Sequence, residues 1–284
     1  MSYDVIIPTN FDRYFIIDAI KSIENQKFLP SLIVICAKNN TTDSSVELSV
    51  RKLKTKCPIK IVFYSDKTKS INANDQRKYA LQFIKSPYVC FLDDDDLWLR
   101  NKSAHVMQLL KKDLDYLVSD YIVGTHVSKS RRVNTGFDNI GTMNSLGGFS
   151  GVCVKTKILR NDNIIDERLF SCQDWLLWIK LIKCRYKCLR VNEAIYFHRK
   201  HQNDRITNNP KKAYYGLRTF YFLNKDFLNR VVLLRLLKAR YKYYRTIKLI
   251  DFKHFKPSRF HFHICFQNVR IFYSKIKKIL ALFI

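Results

Sequence analysis

The first 120 residues alternate between short apolar runs and longer segments in which apolar residues recur every three or four positions. The apolar runs, each as long as a buried strand, lie at residues 3–8, 32–36, 59–64 and 88–92. Helical spacing after the first run is carried by Phe15, Ile16, Ile20 and Ile23. Strands and helices in alternation are typical of a parallel sheet covered by helices on both faces, so we predict an α/β fold.

Four consecutive aspartates follow the last of these runs: Asp93, Asp94, Asp95 and Asp96. Adjacent carboxylates repel one another, which raises some of their pKa values unless a cation lies among them. Mg²⁺ and Mn²⁺ prefer oxygen ligands and commonly bind through one or two carboxylates together with substrate phosphates. Because ligands of open α/β sheets bind beyond the carboxyl ends of the strands, this position predicts a site for a metal ion and a diphosphate.

A structural interpretation of the same aspartates is a helix cap. Asp96 would cap a helix that starts near Leu97, and the helix dipole would favour the other acids near its N-terminus. Capping requires one such side chain, so this alternative leaves the excess of carboxylates unexplained.

The alternation loosens after Asp120, where two segments are candidates for function. Residues 134–151 carry five of the seven glycines of the chain: Gly136, Gly141, Gly147, Gly148 and Gly151. Such a segment is a mobile loop or lets the backbone approach a ligand, and an ordinary surface connection explains its composition equally well. Further on, Asp174 precedes a helical face that contains Trp175 and Trp178, so it is either a helix cap beside core residues or a functional acid.

The last quarter of the chain is strongly basic. Residues 211–284 hold 18 lysines and arginines against 2 acidic residues, in a chain of net charge +27. Interleaved apolar residues make this typical of amphipathic helices at anionic membranes, where each basic residue adds about 1 kcal/mol. We predict two domains, 1–210 and 211–284, the second a basic helical tail on a membrane surface. Nucleic acid binding, and packing on the first domain or a partner subunit, are alternatives; without a recognisable nucleic-acid motif, we expect no nucleic-acid partner.

The expected location follows from the same patterns. The first residues are typical of a strand rather than of a signal peptide, and no apolar run reaches the roughly 18 residues of a membrane span. We expect a cytoplasmic protein that is peripherally associated with the inner face of the cell membrane. Eight scattered cysteines favour reduced core residues over disulfides. A zinc site is an alternative whose Cys–His interval is shorter than usual; its ligands would be Cys184, Cys188, His198 and His201.

Several short motifs occur in the order and spacing of a known family. They are Val-Ile-Ile-Pro-Thr at 5–9, Arg77, Phe-Leu-Asp-Asp-Asp-Asp-Leu-Trp at 91–98, the glycines at 147–151 and Gln-Asp-Trp at 173–175. Over about residues 3–205 the chain resembles the family 2 glycosyltransferases of the GT-A fold. The resemblance implies a Rossmann-like, mixed but mainly parallel sheet flanked by helices, and an enzyme that transfers sugars with inversion.

The resemblance also implies roles for individual residues. The nucleotide sugar would be bound by Pro8, Thr9, Asn39, Arg77, Asp93 and Asp94. The metal ion, Mn²⁺ or Mg²⁺, would be held by Asp95, Asp93 and His201, with His198 as the second choice of histidine. The loop that meets donor or acceptor would contain Gly147, Gly148 and Trp175. Asp174 would be the general base that takes the proton of the acceptor hydroxyl.

The implied reaction moves a sugar from a nucleoside-diphosphate donor to a hydroxyl of a glycan or lipid-linked acceptor, in the synthesis of lipopolysaccharide, capsule or another surface polysaccharide. A UDP-sugar is the favoured donor, although Lys38 and Asn39 replace the family's usual acidic pair at the end of the second strand. Gln173 likewise replaces the acid that commonly precedes the base. A non-catalytic module that binds sugar nucleotides, and a basic nucleic-acid-binding protein, are the alternative functions.

Overall fold

The computed structural model describes residues 1–38, 44–68, 70–160, 164–201 and 209–254, and for Arg230 and residues 245–254 it describes the backbone alone. The chain divides into two compact units, Met1–Leu237 and Lys238–Ile284. The domain boundary predicted at residue 210 lies inside the first unit. The helix Pro210–Asn224, which the sequence analysis assigned to the tail, belongs to this unit and buries Phe220 in its core.

A mixed sheet organises the first unit. Its strands are β1 (Tyr3–Thr9), β2 (Leu32–Lys38), β3 (Ile59–Tyr64), β4 (Tyr88–Phe91), β5 (Leu97–Trp98), β6 (Tyr116–Gly124), β7 (Ser130–Val133), β8 (Cys153–Lys155) and β9 (Cys188–Arg199). The strands β3, β2, β1 and β4 lie side by side and parallel. The sheet continues through β8, β6, β9 and β5, where β8 and β5 run antiparallel to their neighbours and β9 runs parallel to β6; β7 pairs with β6. The predicted mixed, mainly parallel α/β sheet is confirmed.

The helices between these strands follow from local sequence signals. They are α1 (Phe15–Glu24), α2 (Ser45–Arg51), α3 (Ala73–Ala80), α4 (Lys102–Lys111), α5 (Thr156–Leu159), α6 (Gln173–Lys183), α7 (Pro210–Asn224) and α8 (Arg230–His254). Helix α3 begins with a capping box, in which the Asn72 side chain accepts from the Asp75 backbone N–H and the Asp75 carboxylate accepts from the Asn72 backbone N–H. None of the helices in these ranges combines the length and the apolar character needed to cross a membrane.

Alternation along the strands divides the core into two layers, one on each face of the sheet. In β1, Val5 and Ile7 pack in the layer that contains α1, whereas Ile6 packs in the layer that contains α6. Helix α1 contributes Ile16, Ile20 and Ile23, as its spacing predicted. The two layers hold α1 and α6 on opposite sides of the sheet and so fix the connections that begin and end there.

The residues after the four aspartates form an edge strand and not a helix. Leu97 and Trp98 are β5, which pairs with Phe197 and Tyr196 of β9, and the next helix, α4, starts at Lys102. The interpretation of Asp96 as the cap of a helix near Leu97 is therefore wrong. The four aspartates instead form a turn that the Asp96 N–H closes on the Asp93 carbonyl over 3.1 Å. We call residues 93–96 the carboxylate turn.

Candidate active site

The carboxylate turn lies where β1, β4 and β9 end on the same side of the sheet. Thr9, the last residue of β1, donates its hydroxyl to Asp94 Oδ2 over 2.6 Å. From the end of β9, the Arg199 N–H donates to Asp96 Oδ1 over 3.0 Å, and His201 Nε2 lies 2.7 Å from Asp95 Oδ2. Side chains separated by about 100 positions thus meet in one crevice, at the carboxyl ends of parallel strands.

A buried side-chain amide, that of Gln76, connects β1 and β2 beside Thr9. Gln76 of α3 is buried, and its Nε2 donates to the Thr9 carbonyl over 2.5 Å and to the Cys36 carbonyl over 3.1 Å. Two backbone carbonyls of the neighbouring strands β1 and β2 are thereby satisfied without water.

Each aspartate of the carboxylate turn has a hydrogen-bond partner from another part of the chain. Arg77 Nη2 donates to Asp93 over 2.6 Å, and Arg13 donates to both Asp94 and Asp95 over 3.3 and 3.2 Å. The buried Asp96 accepts from the Ser150 hydroxyl over 2.6 Å. These cations and hydroxyls offset the repulsion that four adjacent carboxylates create.

Burial nevertheless raises two of the pKa values in this turn. For Asp93, burial in the crevice and repulsion by Asp96 and Asp95 outweigh Arg77 and raise the pKa to about 6. For Asp94, burial outweighs the attraction of Arg13 and raises the pKa to about 7. An additional positive charge in this crevice would therefore be electrostatically favourable.

Arg77 connects the carboxylate turn to α6. Its Nη1 donates to Asn74 over 3.0 Å and to Gln173 Oε1 over 3.1 Å, and its guanidinium lies 3.7 Å from the centre of the Phe149 ring. The Arg77 side chain is only 4% exposed, and its Nε has no hydrogen-bond partner among the described residues. Gln173, in the place of the usual acid, accepts from Arg77 without adding a second negative charge.

Asp174 is the second residue of α6. Helix α6 follows Cys172, whose left-handed φ of 61° turns the chain into the first helical turn. The Asp174 carboxylate accepts the Trp175 N–H over 2.8 Å, and within the described ranges no Lys, Arg or His side chain lies within ion-pairing distance of it. Burial raises the pKa of Asp174 above its usual value, which the Trp175 N–H and Arg77 oppose. This carboxylate has the environment of a proton acceptor rather than of a structural ion pair.

The glycine segment, residues 147–151, brings backbone close to β9 and to Asp174. Gly147 has φ of 89°, and a Cβ there would lie 2.5 Å from the Tyr196 hydroxyl oxygen, which accepts from the Gly148 N–H over 2.9 Å. A Cβ on Gly148 would lie 3.9 Å from Asp174 Oδ2. The backbone of this segment thus packs closely against Tyr196, and its approach to a ligand stays a prediction.

Trp175 corrects one of the predicted site residues. The side chain is 4% exposed, its Nε1 donates to the Ile140 carbonyl over 2.7 Å, and its ring centre lies 4.4 Å from that of Phe220. Helix α7 covers the indole that was expected in the donor or acceptor loop. Trp178 is a core residue as well, and it donates to the Gly147 carbonyl over 2.8 Å.

Of the two other predicted nucleotide-binding residues, the structure describes Pro8. Pro8 precedes Thr9 in β1 and pairs in register with Cys36 of β2. Asn39 lies outside the described residues. Lys38 ends β2, and burial together with the nearby charge of Lys212 lowers its pKa.

Two of the three predicted metal ligands are adjacent, namely Asp95 and His201. The His201 side chain is 7% exposed, and its Nδ1 is buried with no hydrogen-bond partner in the described part of the chain. Asp93 is bonded to Arg77, and across the described ranges no three His, Cys, Asp or Glu side chains form a group suited to a metal ion, which includes the Cys–His set of the zinc alternative. A carboxylate oxygen beside an imidazole nitrogen fits a divalent ion that takes its remaining ligands from phosphate and water.

Sequence reasoning missed four residues that shape this crevice: Arg13, Gln76, Ser150 and Tyr196. Arg13 lies in the connection between β1 and α1, directly beyond the carboxyl end of a parallel strand, and that position was the available signal. Ser150 and Tyr196 have ordinary sequence surroundings, since their roles arise from contacts with distant residues.

Comparison with known proteins finds similar proteins that are named as glucosyltransferases. The chain is 24% identical over 220 residues to the GalNAc(5)-diNAcBac-PP-undecaprenol beta-1,3-glucosyltransferase of Campylobacter jejuni, covering 74% of this chain and 69% of that protein. It is 22% identical over 191 residues to the UDP-Glc:alpha-D-GlcNAc-diphosphoundecaprenol beta-1,3-glucosyltransferase WfgD of Escherichia coli, covering 63% of this chain and 69% of that protein.

Two solved structures show the same fold. The TarS fragment of S. aureus in complex with UDP-GlcNAc superposes with a TM-score of 0.62 at 19% identity, covering 87% of this chain and 74% of that one. The mannosyltransferase PcManGT of Pyrobaculum calidifontis, in complex with GDP-Man and Mn²⁺, superposes with a TM-score of 0.59 at 14% identity, covering 84% and 68%. The model of the family described as Glycosyl transferase family 2 matches residues 4–169, which is more than half of the chain. The chain therefore belongs to glycosyl transferase family 2 and is a glycosyltransferase of the GT-A fold.

Proposed function

We propose that this enzyme passes a sugar from a nucleoside-diphosphate donor to a hydroxyl of a lipid-linked glycan, with inversion, in the synthesis of a surface polysaccharide. One observation carries the proposal: Asp174 lies beside the glycine segment, while Gln173 and Arg77 connect its helix to Asp93 of the carboxylate turn. A proton acceptor and a donor-binding cluster are thus held in one network. The relatives in C. jejuni and E. coli act, by their names, on sugars linked to undecaprenol diphosphate, which supports the lipid-linked acceptor.

Asp174 would remove the proton of the acceptor hydroxyl as that oxygen attacks the anomeric carbon. Its raised pKa makes it a stronger base than an exposed aspartate, and the Trp175 N–H holds its carboxylate in a fixed orientation. Attack in a single displacement, from the face opposite the leaving diphosphate, inverts the configuration.

The carboxylate turn and Arg77 would hold the donor. Arg77 is fixed by four neighbours, so its charge is available at a set position without reorganisation. Asp95 and His201 would hold a divalent ion, which, when bound, stabilises the negative charge that grows on the leaving diphosphate. Thr9, Asp93 and Asp94 would complete the polar wall beside the nucleotide.

Donor and product analysis tests this proposal. UDP-sugars and GDP-sugars are screened with Mn²⁺ for thermal stabilisation of the protein, since a ligand that binds only the folded state raises its apparent stability. The best donor is then incubated with a polyprenyl-diphosphate-linked sugar, and the anomeric configuration of the product is read by NMR. Transfer with inversion is expected. Retention of configuration, or donor binding with no transfer to any lipid-linked acceptor, contradicts the proposal and favours a non-catalytic sugar-nucleotide-binding module.

We also propose that the basic end of the chain rests on an anionic membrane, where such an acceptor resides. In the last turn of α7, Phe222 is 61% exposed and Leu223 is exposed as well, and so are Val231 and Leu233 in the first turn of α8. Lysines and arginines surround them in sequence, and residues 211–284 carry 18 basic against 2 acidic residues. Exposed apolar side chains with this charge suit the headgroup region of an anionic bilayer.

Vesicle co-sedimentation of the full chain tests this surface. Binding to vesicles with phosphatidylglycerol should exceed binding to pure phosphatidylcholine, and Phe222→Ser should weaken it. Val127→Ser, which removes another exposed apolar side chain outside α7 and α8, is the matched control. Equal binding to both vesicles contradicts the proposal, and preferential, salt-sensitive binding to nucleic acid would favour the alternative partner.

A further inference from the structure

The guanidinium of Arg13 occupies the space beside the two proposed metal ligands. Its Nη1 lies 3.2 Å from Asp95 Oδ2 and 3.2 Å from His201 Nε2, while those two atoms are 2.7 Å apart. Its Nη2 donates to Asp94 Oδ1 over 3.3 Å. The arginine therefore lies against the same two atoms that a divalent ion would use.

An ion and Arg13 exclude each other at these atoms. The Asp95 oxygen that accepts from Arg13 is not available to a metal, and the Arg13 Nη1 lies 3.2 Å from His201 Nε2, in the space that an ion between the two ligands would need. The charges oppose as well, because two cations a few ångströms apart in a partly buried crevice repel by an amount comparable to a whole ion pair. Binding of the ion thus requires the guanidinium to leave.

Arg13 is held loosely, in contrast to Arg77. Arg77 is 4% exposed and bonds Asp93 over 2.6 Å, with an aromatic ring against its guanidinium. Arg13 is 19% exposed, and its carboxylate contacts are 3.2 to 3.3 Å long. It lies outside regular structure, between β1 and α1, so its side chain can move without disturbing a helix or a strand. Of the two arginines that neutralise the carboxylate turn, Arg13 is the exchangeable one.

We propose that Arg13 is a built-in competitor for the divalent ion, and that a nucleoside diphosphate relieves this competition by offering its phosphate oxygens to the guanidinium. The proposal rests on the metal site of the proposed function. Arginine pairs well with phosphate, so the diphosphate supplies a new partner for Arg13 as the ion takes its old ones. Ion and donor then bind cooperatively, and the enzyme without donor holds the ion weakly.

Direct measurement of Mn²⁺ binding by electron paramagnetic resonance, without donor, tests the first half. Arg13→Gln should bind Mn²⁺ at least about tenfold more tightly than the wild type, since removal of a nearby positive charge removes its repulsion. Arg13→Lys keeps the charge and should stay within about threefold of the wild type. Arg51→Gln, which removes an exposed arginine of α2 that is paired with Glu47, is the control for net charge and should change nothing. Equal affinity of Arg13→Gln and wild type overturns the proposal.

Repeating the titration with saturating UDP or GDP, whichever stabilises the protein, tests the second half. The diphosphate should tighten Mn²⁺ binding more in the wild type than in Arg13→Gln, because only in the wild type must a guanidinium move from the metal ligands to the phosphates. The same enhancement in both proteins overturns the proposed relief.

Asp95→Ala, added to Arg13→Gln, separates the two possible failures. Loss of Mn²⁺ binding in the double variant, without any effect of Arg13→Gln alone, means that the site is right and the competition is wrong. No loss means that the metal assignment itself has failed. Thermal unfolding of each variant verifies that the protein titrated is folded.

Discussion

Two aspartates beside the same helix, Asp166 and Asp174, have opposite electrostatic environments. The Asp166 carboxylate, in the connection that leads to α6, accepts from Arg168 over 2.6 and 2.9 Å and lies 3.4 Å from Lys180 of α6. Burial alone would raise the pKa of Asp166, but Arg168 and Lys180 outweigh it and lower the pKa to about 2.

Asp174, at the start of α6, has no such cation among the described residues, and burial raises its pKa. Asp166 stays ionised at neutral pH, and its ion pairs stabilise the fold. Asp174 binds a proton more tightly than an exposed aspartate does, which suits a general base. Its ionised form is buried without an ion pair in the described part of the chain, which lowers the stability of the fold. The difference in partners, not in residue type, separates a structural acid from the carboxylate that we propose as the general base.

The largest expected effect is that of Asp174→Asn on sugar transfer. Loss of a general base typically costs 10² to 10⁴ in rate, and we expect kcat to fall by about that factor. Stability should hold or rise, because Asn keeps the Trp175 bond and removes a buried charge. Steady-state kinetics and urea unfolding measure the two. Asp166→Asn is the matched control, whose folded fraction should transfer sugar at the wild-type rate; equal kcat in Asp174→Asn removes Asp174 from its role.

The next largest effect concerns the backbone beside Asp174. Gly147→Ala introduces a Cβ at φ of 89° and 2.5 Å from the Tyr196 hydroxyl, so strain and overpacking should together cost about 2 to 4 kcal/mol of unfolding free energy. Gly148→Ala meets only ordinary contacts at 3.9 Å and should cost less than about 1 kcal/mol. Urea denaturation compares the pair. Equal costs would show that the glycine segment is not tightly held against β9.

Asp166→Asn should lower the free energy of unfolding by about 2 kcal/mol at neutral pH, from a pKa that falls from 3.8 to about 2. A depressed folded-state pKa contributes stability above the unfolded value and loses it as pH falls through the folded value. The difference between wild type and variant should therefore shrink as pH falls from about 4 to 2. A difference that stays constant over that window would mean that Asp166 acts through packing, not charge.

The smallest effect is a displacement in the pH profile of transfer. Asp174 must be ionised to accept a proton, so kcat/KM should fall as pH is lowered, with a midpoint above the ordinary value of 3.8. Asp94, with a pKa of about 7, titrates in the same crevice and is present in both proteins. The residual activity of Asp174→Asn should lack the fall in kcat/KM at low pH that Asp174 causes. If the pH profile of the variant is the same as that of the wild type, the fall belongs to the carboxylate turn.

The parallel half of the fold is readable from the sequence because each of its elements is local. The apolar runs of β1 to β4 and the spacing in α1 are visible within about ten residues. Strand β5 was missed since two residues, Leu97 and Trp98, become a strand only by pairing with Phe197 and Tyr196. Pairings over such separations leave no local pattern.

The site divides in the same way. Four adjacent carboxylates stand out in any sequence, so the carboxylate turn was predicted, and the resemblance added Arg77 and Asp174. Arg13 did not stand out, because it is one of 51 basic residues and its partners in the crevice lie more than 80 positions away. Trp175 was placed wrongly for a related reason: α7, which covers it, was assigned to the tail.

Gln76 has a consequence for how this crevice can diversify. Its amide satisfies the last carbonyl of β1 and the Cys36 carbonyl, two residues before the end of β2, from within the protein, so these two carbonyls do not depend on a ligand bound in the crevice. Neighbouring side chains such as Lys38 can then be substituted during evolution to suit another base or sugar, while the pairing of β1 and β2 is kept.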